Sequence, residues 1–179
     1  MELKTSSELI TNVRAIIRDD RGEILYTQEG KNSITKGVPN PGVTHNGLVL
    51  LLERLFDNGE IYDPADCLNK MQLGSGTPSD SGLGSPVTSP VNTLLAFTGL
   101  SLDQTTPPSG NWYDSPKIIA SCTWGASFGE LNGISEAGLI ADGSDTTLFA
   151  YKTFSPVLNK TANGEITIEW TIQVSYQVP

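Results

Sequence analysis

Between Glu165 and Gln177 apolar and polar side chains alternate without a break: Ile166, Ile168, Trp170, Ile172, Val174 and Tyr176 against Glu165, Thr167, Glu169, Thr171, Gln173 and Ser175. Successive side chains of a β-strand point to opposite faces, so this period of two predicts one long strand with a greasy face and a wet face. Burying six such side chains is worth roughly 10 to 15 kcal/mol gross, before the entropy of ordering the strand is subtracted. The stretch is scaffold, and function is to be sought elsewhere, although the lightly charged wet face is a candidate subunit-facing surface.

Three zones lie upstream of it or include it. In the first, residues 9–35, the apolar runs Val13–Ile17 and Glu23–Thr27 flank Asp19-Asp20-Arg21-Gly22 and predict a β-hairpin. Gly37, Pro39, Pro41 and Gly42 then break regular structure. Beyond them Leu48, Leu51, Leu52, Leu55 and Phe56 fall on one helical stripe, with Asn46 as N-cap and Asn58-Gly59 as stop. The second zone, residues 58–115, is rich in Gly, Ser, Thr and Pro; it holds one short strand at Lys70-Met71-Gln72-Leu73 and two long loops, residues 74–84 and 105–113. The third returns to strands at residues 117–124, 134–140, 148–154 and 165–177, with turns expected at Asn132-Gly133, Asp142-Gly143 and Asn163-Gly164. No repeat of 20 to 50 residues interrupts this order. The expectation is a mainly-β chain: a single antiparallel β-sandwich domain over residues 1–179, jelly-roll-like or immunoglobulin-like, with one short α-helix and long Gly/Ser/Pro-rich loops.

Composition narrows the function classes. A chain of 179 residues can bury a core without metal or disulfide staples. Twenty acidic residues against eleven basic ones give a net charge of −9, which disfavours direct nucleic-acid binding because no surplus cations replace phosphate counterions. The longest apolar run, Leu48 to Leu52, is far short of the roughly 20 residues a membrane-spanning helix needs. The first eight residues lack the apolar stretch of a signal peptide, so the chain is expected to be made in a cytoplasm and not exported. In that compartment Cys67 and Cys122 read as separate reduced residues, though one disulfide between them stays open. Neither has a second Cys or a His at metal-ligand spacing.

Candidate chemistry is sparse. Gly74-Ser75-Gly76 after a short strand is either a backbone nest for an anion or a plain turn; a phosphate loop would need Lys and Ser/Thr before a helix, and Thr77-Pro78 follows instead. Glu136, between apolar neighbours on a strand, is either a catalytic acid or an acceptor for hydrogen bonds from a neighbouring loop. The second reading is favoured because no partner carboxylate stands at a defined separation. His45 is the sole histidine and has no Gly-x-Ser-x-Gly elbow to serve. Asp63 with Asp66, and Asp142 with Asp145, bring carboxylates into single turns without the spacing of a calcium loop. No catalytic, cofactor or metal-binding residue is therefore assigned. Trp124 and Trp170 sit on strands and are expected in the core. Trp112 and Tyr113 sit in a polar loop, where their faces could stack on a sugar or a protein partner or fold back over the sandwich.

Asn32-Ser33-Ile34-Thr35 before a Gly-rich break and helix, then Leu73-Gly74-Ser75-Gly76-Thr77-Pro78-Ser79-Asp80 with Leu83, resembles a pattern found in bacteriophage virion proteins encoded among head and tail genes. Glu136-Ala137-Gly138-Leu139, residues 148–151, Phe154-Ser155-Pro156-Val157, Lys160-Thr161 and residues 166–172 are similar to the second half of that pattern; the stretch 103–112 has no counterpart in it. The resemblance implies a non-enzymatic structural protein of β-sandwich type, located in the virion and repeated in a ring, fibre or capsid lattice. Its partners would be copies of itself and other virion proteins of the tail, baseplate, collar, fibre attachment or capsid surface, with no cofactor, no direct nucleic acid and no membrane insertion. The rival reading is a carbohydrate- or receptor-binding β-sandwich module that uses Trp112 and Tyr113.

Overall fold

The structure is a computed structural model that describes residues 6–33, 68–79, 82–88, 91–103, 117–142 and 146–177. The alternating segments form the strands their periodicity demands. In chain order these are β1 (Ser6–Arg18), β2 (Ile24–Ser33), β3 (Leu68–Gly74), β4 (Leu95–Ala96), β5 (Gly99–Asp103), β6 (Lys117–Trp124), β7 (Leu131–Asp142), β8 (Thr146–Lys160) and β9 (Glu165–Gln177). They make two antiparallel sheets, β2-β1-β9-β6-β5 and β4-β3-β7-β8. Among the described residues the one helical element is a 3-10 turn at Ala126–Phe128; the expected α-helix around residues 46–56 lies outside them.

The β1–β2 hairpin closes as anticipated. Asp19 O accepts from Gly22 N at 3.2 Å, and its side-chain Oδ1 takes the N–H groups of Arg21 and Glu23 at 2.9 Å each. Gly22 supplies the positive φ of 80° that the turn requires. The final strand is the centre of the larger sheet, paired along its whole length with β1 and with β6. Ile166, Ile168 and Trp170 are fully buried, and Ile172 packs against the same core. The side chains of Val174 and Tyr176 lie outside the described set. Opposite this face Met71, Leu73, Ala137, Leu139, Ala150, Phe154 and Leu158 project from the smaller sheet, so one apolar cluster fills the space between two layers.

Two turn expectations change. Asn132-Gly133 does not separate strands: it lies within β7, where the register with β8 shifts between Leu131 and Ile134 and Gly133 adopts φ 67°. The signal was that of a bulge, which needs the same backbone freedom as a turn. The Asn163-Gly164 turn is real, with Gly164 N donating to Thr161 O at 3.2 Å. The strands it joins belong to different sheets, however, so it caps the end of the sandwich and does not make a hairpin. Strands β4 and β5, between the two expected loops, are too short and too mixed in pattern to give a period.

Candidate functional site

Beyond the end of β3 the described residues 75–79 and 82–86 lie across the outer face of the smaller sheet. Two legs, residues 75–79 and 82–86, are tied by Ser75 N to Ser85 O at 2.9 Å and by Ser79 N to Gly82 O at 2.9 Å. At the base of this strap stands Glu136. Its neighbours in β7 alternate inward and outward, and its parity aims it away from the core, toward Gly74 on β3. Glycine leaves room for the carboxylate there, because a Cβ at residue 74 would lie 2.4 Å from Glu136 Oε1.

The carboxylate is fully buried and engaged on both oxygens. Oε1 accepts from Gly76 N at 3.0 Å and Ser85 N at 2.9 Å, and Oε2 accepts from Gly84 N at 3.0 Å. Beside it Ser135 Oγ donates to Gly76 O at 2.8 Å. The two alternatives for this region thus resolve into one arrangement. The glycine-rich loop does present backbone N–H groups to an anion, and that anion is the chain's own Glu136. A carboxylate closed off in this way cannot reach a substrate, so its work is to pin the strap. Leu83 completes the attachment by filling the notch left by Gly138, where an added Cβ would meet Leu148 Cδ1 at 2.6 Å and Leu83 Cδ2 at 3.1 Å.

Other polar groups are likewise turned inward. Thr93, fully buried, takes the Leu73 N–H on its hydroxyl at 3.2 Å, and the same oxygen lies 2.9 Å from Val87 O and 3.0 Å from Leu73 O. Its carbonyl accepts the Trp124 Nε1–H at 2.7 Å, which joins the strap's return to the larger sheet. Lys160 is 1% exposed, and its ammonium donates to the carbonyls of Gly129, Thr161 and Ala162, closing one end of the sandwich. Burial lowers its pKa. Asp142, one of the carboxylates weighed for calcium, forms an ion pair with Lys70, and its backbone exchanges two hydrogen bonds of 3.1 Å with the Asn69 side chain.

Cys122 is a free, buried thiol within 3.5 Å of the carbonyls of Leu95 and Ala96; burial pushes it up to about 11. Among the described residues no group of three His, Cys, Asp or Glu could hold a metal ion. His45, Asp63, Asp66, Cys67, Trp112, Tyr113 and Asp145 lie outside the described residues.

What the fold presents outward is different in kind. The wet face of β9 forms part of the outer face of the larger sheet, where its acids pair with arginines of β1. Arg18 meets Glu165 at 2.8 Å, and Arg14 meets Glu29 at 3.1 Å and Glu169 at 3.5 Å. A shallow trough of about 600 Å³ runs over this face between Asn12, Arg14, Glu29, Ile119, Glu169 and Thr171. Large apolar side chains emerge at the sheet margins: Ile24 and Leu25 on β2, Leu100 and Leu102 on β5, Val157 on β8, and Ile118 on β6 opposite Leu102. Sequence reasoning missed these, since a short edge strand such as Gly99–Asp103 has no period to read. Lys160 was equally hidden: only its register opposite Leu131 turns it inward. Compared with protein-family models, curated proteins and solved structures, the chain gives no match.

Proposed function

We propose that this chain is a non-enzymatic structural protein of a bacteriophage virion that works by symmetric self-association and by docking on other virion proteins. The observation that carries the reading is the distribution of exposed apolar side chains. Ile24, Leu25, Leu100, Leu102 and Val157 are 47 to 65% exposed and all lie on strands at the margins of the two sheets, β2, β5 and β8. Soluble monomers blunt such margins with charge, proline or cover, because an open edge is a template for another chain. Among the described residues Glu136, Lys160 and Asp142 are engaged in internal ties, and Arg14 and Arg18 pair with glutamates across the strands. Sheet margins that carry exposed apolar side chains suit contacts between protein copies. The resemblance of residues 32–35, 73–83 and 136–172 to head and tail proteins supports the same conclusion.

The mechanism is burial of strand and loop surface between subunits, without chemistry. The test is to add the purified chain to particles assembled without it. A tail, baseplate or collar component rebinds tails, and a decoration protein rebinds heads and raises their resistance to heat or chelators. Failure to rebind either overturns the reading.

A further inference from the structure

No further inference is drawn: the strongest candidate, the shallow trough on the outer face of the larger sheet between Asn12, Arg14, Glu29, Ile119, Glu169 and Thr171, has its guanidinium and carboxylates paired with one another, and nothing in the structure shows what covers it.

Discussion

Replacing Glu136 by glutamine changes three atoms' worth of chemistry and almost no volume, so its cost reports what the carboxylate does. Hydrogen bonds to a charged group contribute about 1.5–3 kcal/mol each, against a desolvation cost of several kcal/mol for the buried ion. The amide of glutamine has one acceptor oxygen. Placed where Oε1 stands, it keeps the bonds from Gly76 N and Ser85 N, now without the charge, and its NH2 then faces the N–H of Gly84, donor against donor. One charge-assisted bond is lost, two are weakened, and a buried N–H is orphaned; relief of the buried charge offsets part of this. The net expectation for Glu136→Gln is a loss of about 2–4 kcal/mol, or roughly 5–15 °C in Tm for a chain of this size. Urea unfolding gives the global value. Amide hydrogen exchange at Gly76, Gly84 and Ser85 gives the local one, and protection at these three sites should fall before that of Leu139 or Ile168. If Glu136→Gln unfolds within about 0.5 kcal/mol of the parent and keeps all three amides protected, the strap is held by something other than the carboxylate.

Three further outcomes follow from the same packing. Gly74→Ala places a Cβ against a carboxylate that three N–H groups hold still, so it should cost about 2–3 kcal/mol; combined with Glu136→Gln the two losses should fall short of additivity in a urea double-mutant cycle, because both act through the same group. Trp124→Phe loses the bond from Nε1 to Thr93 O, whereas Trp170 Nε1 is a buried donor with no partner among the described residues, so Trp124→Phe should be more damaging than Trp170→Phe by about 1–2 kcal/mol in paired melts. The Cys122 thiol is held up to about 11, from an ordinary 9.0, by burial. Above pH 9 the unfolded chain therefore ionises first, and the contribution of this group to stability is lost as pH rises from 9 to 11. Burial lowers the pKa of Lys152 and Lys160, which act in the opposite sense over the alkaline range. The measurement is accordingly the difference between the parent and Cys122→Ala, which should narrow across that window; in a Cys67→Ser background the remaining thiol should react with a disulfide reagent only on unfolding.

The strands were legible in the sequence where burial on one face alone decided the pattern. Residues 165–177 and 117–124 match β9 and β6 to the residue, because both strands lie inside the larger sheet with paired neighbours on each side. Strand β8 extends well beyond the expected 148–154, since Pro156 and the register shifts disturb its period. Beyond the β1–β2 hairpin, which strands pair was not legible. Turn residues report a reversal of direction, and the reversal at Asn163-Gly164 carries the chain to the opposite sheet, a choice made by the core and not by the turn.

Glu136 shows why the polar interior was only half readable. Its sequence setting allowed a loop acceptor, but the donors, Gly76, Gly84 and Ser85, stand more than fifty residues away and reach it through backbone groups that every residue carries. What betrays such a clip is the set of residues that make room for it: Gly74 beside the carboxylate, Gly76 and Gly84 where the legs of the strap would otherwise collide, and Gly138 under Leu83. In the sequence those four glycines look like flexibility. In the fold each is a space occupied by another part of the chain, so a glycine-rich loop facing a strand with an isolated acid is better read as a closed contact than as an open site.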